Sequence, residues 1–198
     1  MNSHKAYEDV QLIKEMLSKS KTNIRKGGKY FILWGYAVLA GIMTSHLLAY
    51  LGHPRFIWLA WFAVMFVGTV VTLFFTTAEK NQSRVVTLLD RITGAMGMGF
   101  FFSFLLASLV FPLLDVYPLT AIGPVTGMLA GTFIFILAWI YQWKFLFIPA
   151  LIWFIFAVGV NFIPDELTGL AMSFPLIFGY IIPGHLLVNK EHKEKRDE

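Results

Sequence analysis

The sequence predicts an all-α, polytopic membrane protein, in which six transmembrane helices form a compact bundle of three hairpins behind an N-terminal amphipathic helix. Three observations predict this class. Asp, Glu, Lys and Arg are absent from six long apolar stretches between Tyr30 and Val188. Each stretch has about 19–23 residues, enough at about 1.5 Å per residue to cross a hydrocarbon core of about 30 Å. Basic residues collect on one side of these stretches, as they do in membrane proteins.

The charge-free stretches define the predicted spans. They are continuous and apolar on all faces, which favours helices over barrel strands, because barrel strands alternate over about ten residues. The predicted spans cover residues 30–51, 57–77, 92–114, 119–140, 145–163 and 167–188. Residues 1–29 are expected to form a cytoplasmic amphipathic and basic segment, and residues 189–198 a charged cytoplasmic tail.

Orientation follows from the basic residues. Of the 16 Lys and Arg residues, all except Arg55 lie before the first span, after the last, or in the second and fourth connections. Cytoplasmic loops carry such an excess, so both termini are predicted to be cytoplasmic. The same rule accounts for the net charge of +4 without a nucleic-acid partner. The chain has no cysteine, which excludes disulfides, thiolate metal sites and cysteine nucleophiles.

The segment before the first span has helical periodicity. Its apolar residues recur at intervals of four, three and four: Ala6, Val10, Ile13 and Leu17. This pattern predicts an amphipathic helix that lies on the inner leaflet, covers the cytoplasmic ends of the bundle, or pairs with another protomer or protein. A basic cluster follows, formed by Lys21, Arg25, Lys26 and Lys29. It either anchors the first span or binds anionic lipid headgroups.

Glycines mark one face of the fourth span. Gly123, Gly127 and Gly131 follow one another at four-residue spacing, which lets a neighbouring backbone approach closely. The third span carries a second group, Gly94, Gly97 and Gly99. We expect these glycines to pack against other helices of the same chain, with a homo-oligomer contact as the alternative.

Polar side chains near the outer ends of the spans are the candidate ligand residues. His46 and Asn161 lie at similar depths, below three acidic residues in the turns: Asp115, Asp165 and Glu166. Together they are candidates for an outer vestibule. Turn positions, and no metal-ligand motif, set their spacing, so no metal or cofactor is predicted. Alternatively, His46 forms a hydrogen bond with a neighbouring helix or lies near the lipid headgroups, and the three acids are solvated.

The last span contains a predicted break. Pro183 removes a backbone donor and Gly184 follows it, so this point is either a hinge or a fixed kink beside His185. A haem held by His46 and His185 is excluded, because the two lie about 20 Å apart along the membrane normal.

Catalytic motifs are absent from the sequence. It has neither H-E-x-x-H nor G-x-S-x-G, and no acidic residue lies inside a predicted span. We therefore expect no enzyme activity and assign no catalytic residue.

Three short motifs, EDVQLIKE, ILWGY and GYIIPGHLL, resemble a group of small six-helix bacterial inner-membrane proteins. Genes for such proteins often lie beside a winged-helix transcription regulator. The resemblance implies the bacterial inner membrane and a regulatory association. We expect a non-enzymatic sensor or binder of a lipid-like or small apolar ligand that acts through its N-terminal helix. A small-solute transporter or channel, and a scaffold without a ligand, are the alternatives.

Overall fold

The structure, a computed structural model, describes residues 27–82, 88–141 and 143–197. The predicted amphipathic helix and the first three residues of the basic cluster lie outside these ranges. All regular secondary structure in the described chain is helical. Six of its helices are long and apolar enough to cross a membrane, which confirms the predicted all-helical chain with six candidate spans.

Six helices, named α1 to α6, form the six candidate spans. The first five are α1 (Gly28–Tyr50), α2 (Ile57–Gln82), α3 (Leu88–Leu105), α4 (Ile122–Ile140) and α5 (Phe147–Gly159). The sixth span, α6, begins with Asp165–Ala171 and Ser173–Leu176, widens into a π-helical turn at Ile177–Ile181 and continues as Ile182–Asp197. α3 also widens, at Leu106–Val110, before a last turn at Phe111–Leu113. The tail that the sequence places after the last span therefore extends α6 as a helix.

Two helix ends close with the same backbone motif. After α1, Gly52 has φ of 75° and the N–H of His53 bonds the carbonyl of Leu48. After α3, Asp115 has φ of 53° and the N–H of Val116 bonds the carbonyl of Phe111. Both are left-handed caps with a bond across six residues, a common way to end a helix, and Asp tolerates this conformation better than most side chains.

The helices pack as a series in the order α2, α1, α6, α5, α4, α3. Neighbours in the series are antiparallel. We call the end of the bundle where α1 begins and α6 finishes the basal end, and the end marked by Tyr50 and Asp165 the distal end. The core lies among α1, α4, α5 and α6, where Ile134, Ala150 and Trp153 are almost completely buried.

α2 and α3 stand at the two ends of this series and are the least buried helices. Only 6 % of the apolar stretch of each is buried, compared with 28 % to 44 % in the other four. Trp34 attaches α2 to α1, because its Nε1 donates to Thr72 Oγ1 at 3.1 Å. α3 attaches to α4 through stacked rings of Phe100 and Phe133, whose centroids are 4.3 Å apart. These two helices therefore flank a four-helix core.

Candidate functional site

His46 packs against α6. Its Nδ1 lies 3.0 Å from the carbonyl oxygen of Ile42, one turn earlier in α1. A Cβ added to Gly169 would lie only 2.8 Å from His46 Cε1, so the imidazole fills the space that a side chain at position 169 would need. His46 thus holds the distal parts of α1 and α6 together.

The other predicted vestibule residues lie in exposed positions at the distal end. Asn161 donates to the carbonyls of Ala157 and Val158 on its own helix. Asp165 and Glu166 occupy the first turn of α6, and Asp115 caps α3. The structure records no hydrogen bond or ion pair that joins these residues to one another or to His46. In the described ranges, no group of three His, Asp or Glu side chains could hold a metal ion.

The glycines of α4 meet α5, with spacing that tightens towards the basal end. A Cβ at Gly123 would make ordinary contact with Val160 at 3.5 Å, whereas one at Gly131 would lie 2.9 Å from the ring of Phe154. Gly127 is intermediate, with Ala157 Cβ at 3.1 Å. The α4 face that carries these three glycines is therefore the α5 interface.

The glycines of α3 differ from the expectation. At Gly94, Gly97 and Gly99 an added Cβ would meet no atom within 4 Å, so the predicted packing inside the chain is wrong for this group. The reason is the position of α3 at the end of the helix series, where α4 is the one long helix that it contacts extensively along the described residues.

The space between α2 and α3 is a candidate ligand site. These helices share no extensive contact along their described residues, since α2 packs on α1 and α3 on α4. The connection of residues 83–87 nevertheless keeps Gln82 and Leu88 within about 20 Å of each other. The two helices are therefore close at the basal end without extensive packing along their described residues, and we call the space between them the α2–α3 groove.

One stripe of α3 is suited to line this groove. Gly97, Phe101, Leu105 and Ser108 are half-buried and recur every three or four residues. They lie beside the stripe that meets α4, where Thr93 Oγ1 is 2.6 Å from the hydroxyl of Tyr141. Gly99 lies on the fully exposed side of α3. This stripe of α3 is thus apolar apart from one hydroxyl, that of Ser108.

Cationic side chains stand at the basal ends of α1 and α3. Arg91 is exposed at the start of α3. Lys29, at the start of α1, reaches α2, where its Nζ lies 4.6 Å from the ring centroid of Phe75. The basal end of the groove is suited to a negatively charged group.

The π-helical turn of α3 at Leu106–Val110, which we call its wide turn, has one carbonyl bonded by a side-chain hydroxyl. We use the same name for the π-helical turn of α6 at Ile177–Ile181. The N–H of Phe111 donates to the carbonyl of Leu106, and Pro112 has no N–H. The carbonyl of Ala107 therefore has no helical N–H to accept from. The hydroxyl of Tyr117 donates to that carbonyl. Burial raises the pKa of the Tyr117 phenol, which keeps the proton that this bond requires.

The predicted break in α6 is a tight contact point. Pro183 is fully buried, and a Cβ at Gly184 would lie 3.0 Å from the carbonyl oxygen of Gly28 in α1. His185 is exposed, with Nε2 3.5 Å from the hydroxyl of Tyr36.

Sequence reasoning missed the glycine face of α1. Gly28 and Gly35 both meet α6, since a Cβ at Gly35 would lie 2.7 Å from Ile181. Their separation of seven residues, two helical turns, is a signal that could have identified this face. It also missed Trp153 and Gly179, whose contact has no sequence signature.

The six candidate spans suggest a multi-pass, α-helical membrane protein. Comparison of the chain with protein-family models, with curated proteins and with solved structures found no match.

Proposed function

We propose that this chain is a non-enzymatic, multi-pass protein of the bacterial inner membrane that binds an anionic lipid-like ligand in the α2–α3 groove. In this proposal, the apolar part of the ligand lies between the two helices and its charged group lies at the basal end. Both termini are cytoplasmic, and the N-terminal amphipathic segment passes the bound state on to a protein partner.

The observation that carries the proposal is the unequal packing of the helices. α2 and α3 are joined in sequence, yet each packs against a different neighbour and only 6 % of its apolar stretch is buried. A groove that opens sideways between two spans admits a molecule from the bilayer without passage through water. Its apolar α3 wall favours a hydrocarbon chain, because nothing there compensates the burial of a charge.

The basal cations support an anionic headgroup. Each Lys or Arg near a membrane surface contributes about 1 kcal/mol of attraction to anionic lipid. That energy corresponds to about a fivefold change in affinity. Arg91 is the exposed cation at the start of α3, the helix that supplies the groove wall.

The proposal is tested by native mass spectrometry with phosphatidylglycerol and phosphatidylcholine added separately to the protein in mild detergent. We expect one molecule of phosphatidylglycerol to be retained at concentrations where phosphatidylcholine is not. Gly97→Phe fills the groove wall and should weaken retention at least about fivefold, an energy of about 1 kcal/mol. Gly99→Phe is the matched control on the exposed side of α3, where retention should not change.

Arg91→Gln tests the headgroup separately. It should weaken phosphatidylglycerol retention about fivefold and leave phosphatidylcholine unchanged. Equal retention of the two lipids, or equal effects of Gly97→Phe and Gly99→Phe, would remove the basis for a site in the groove.

A small-solute transporter or channel is the second candidate. The observation that favours it is the interrupted course of α6, because transporters form substrate sites at broken helices. Swelling of proteoliposomes in glycerol distinguishes the two. Under the transport proposal, swelling exceeds that of empty vesicles and changes in His46→Ala and Asn161→Ala. Under the lipid-binding proposal, swelling equals that of empty vesicles.

A further inference from the structure

A buried hydrogen-bond donor meets the backbone of α6 near its wide turn. Trp153 of α5 is 2 % exposed, and its Nε1 has no acceptor. A Cβ added to Gly179 would lie 2.5 Å from this nitrogen, so the indole N–H rests directly on the helix backbone. Buried donors are nearly always paired, so this one requires a physical account.

The wide turn has the complementary defect. Ile182 N–H bonds the carbonyl of Ile177, which closes the π-helical turn. Pro183 follows and has no N–H. In a helix, the carbonyl of Phe178 accepts a hydrogen bond from the N–H of residue 182 or residue 183, and the carbonyl of Gly179 from that of residue 183 or residue 184. The N–H of residue 182 is already bonded to Ile177, and residue 183 is proline. The turn is therefore one backbone donor short.

The wide turn of α3 has the same backbone hydrogen-bond pattern, but there a side chain donates to the carbonyl that lacks a backbone donor. There too the closing residue, Phe111, is followed by a proline, Pro112. The carbonyl left without a helical donor is that of Ala107, and the Tyr117 hydroxyl donates to it. Phe178 holds the equivalent place in α6. The unpaired indole of Trp153 lies against that turn, at Gly179.

We propose that Trp153 and the wide turn of α6 form a two-state joint. In the state described here, the indole N–H lies unpaired against Gly179. In the second state, the wide turn moves along α6 and the indole donates to a carbonyl of Phe178 or Gly179. This inference concerns motion within the bundle and does not depend on the proposed ligand.

The geometry of a wide turn makes such a movement local. A π-helical turn contains one residue more than an α-helical turn, so only the residues that it passes over rotate when it moves. The parts of α6 on either side of the turn keep their rotational orientation about the helix axis. Their packing can persist in both states, including the fully buried Pro175 on one side and Gly184 against Gly28 on the other.

Tyr180 links this joint to two other helices. Its ring centroid lies 5.1 Å from that of Phe31 in α1 and 5.5 Å from that of Trp153 in α5. Rotation of residues 178–180 would move this ring out of both contacts. The position of the wide turn therefore sets how α1 and α5 pack on α6, and α6 continues as a helix to Asp197 beyond the basal end.

The test is ¹⁵N NMR of the tryptophan indole groups in lipid nanodiscs, with Trp153 assigned by Trp153→Phe. The chain has six tryptophans, and Trp34 is the built-in control because its Nε1 donates to Thr72 Oγ1. We expect relaxation dispersion at Trp153 from a minor state of about 1–10 %. Trp34 should show none.

Two variants change the joint in defined ways. Pro183→Ala restores the missing backbone N–H and should abolish the dispersion at Trp153. Gly179→Ala places a methyl group against the indole and should move Trp153 to a single shifted resonance, whereas Gly94→Ala, in open space, should leave it unchanged. A single Trp153 resonance without dispersion in the unmodified protein would overturn the proposal. Dispersion that persists unchanged in Pro183→Ala would do the same.

Discussion

Gly28 and Gly184 meet backbone to backbone where α1 crosses α6 at the basal end. A Cβ on Gly28 would lie 2.8 Å from the carbonyl oxygen of Gly184 and 2.6 Å from Cβ of Leu187. The two helices come together at this distance only because both residues lack side chains. This contact joins helices from opposite ends of the chain.

Gly184→Ala should destabilise the bundle. The new methyl group would clash with the backbone of Gly28 and with Ile32, and overpacking of this kind costs about 1–3 kcal/mol. Thermal unfolding in detergent should show a lower midpoint than the unmodified protein. Gly99→Ala, in a helix with open space around that position, should be neutral or stabilising because alanine favours a helix. Equal effects of the two variants would argue against the close crossing.

The glycines of α4 should differ in their tolerance of alanine. Gly123→Ala adds a methyl group at ordinary contact distance and should change the free energy of unfolding by less than about 1 kcal/mol. Gly131→Ala forces the ring of Phe154 aside and approaches the carbonyl of Ala150, so it should cost about 1–3 kcal/mol. Denaturation in SDS compares the two variants directly. A larger cost for Gly123→Ala would contradict the observed spacing.

His46 and Gly169 should behave as a coupled pair. Gly169→Ala alone should destabilise the protein, because its methyl group occupies the place of the imidazole. In a His46→Ala background that clash is gone, so the same change should be tolerated. A double-mutant cycle by thermal unfolding should give a coupling energy of about 0.5–3 kcal/mol. Additive effects would place the imidazole away from Gly169.

Tyr117→Phe should weaken the end of α3. It leaves the carbonyl of Ala107 without a donor, at a cost of about 0.5–1.5 kcal/mol, and should lower the unfolding midpoint by a few degrees.

The stability lost in Tyr117→Phe should depend on pH. The folded pKa of Tyr117 is raised above the ordinary value of about 10, so below pH 10 the phenol is protonated in both states and its full contribution is present. Above pH 10 the unfolded phenol ionises first, and the contribution falls as pH rises through the folded pKa. The difference between the two midpoints should therefore stay constant from pH 8 to about pH 10 and narrow above it. A difference that stays constant above that pH as well would contradict this assignment.

The helical character of the chain could be predicted because it depends on composition alone. Stretches without charge must satisfy their backbone internally once they are long enough to span a bilayer, and helices do this. The glycine face of α4 is likewise visible in the sequence, because a four-residue spacing places Gly123 and Gly131 on one side of any helix.

The order of helix packing could not be predicted. The hydrophobic effect has no directional preference, so nothing in the amino-acid sequence of α3 indicates that α4 is the helix it packs against. Because the packing order could not be predicted, the predicted packing of Gly94, Gly97 and Gly99 within the chain was wrong. The wide turns were also missed, although each closes one residue before a proline, Pro112 or Pro183. A proline indicates a lost donor but not which side chain lies near the freed carbonyl.

The pairing of α1 with α6 has a consequence for biosynthesis. Ribosomes make α1 first among these helices and α6 last, so the face of Gly28 and Gly35 is made long before its partner exists. Until then, that face lacks the helix that it packs on. Assembly of the core therefore has to wait for α6, and a truncated chain that ends before α6 would leave the backbone at Gly28 and Gly35 exposed.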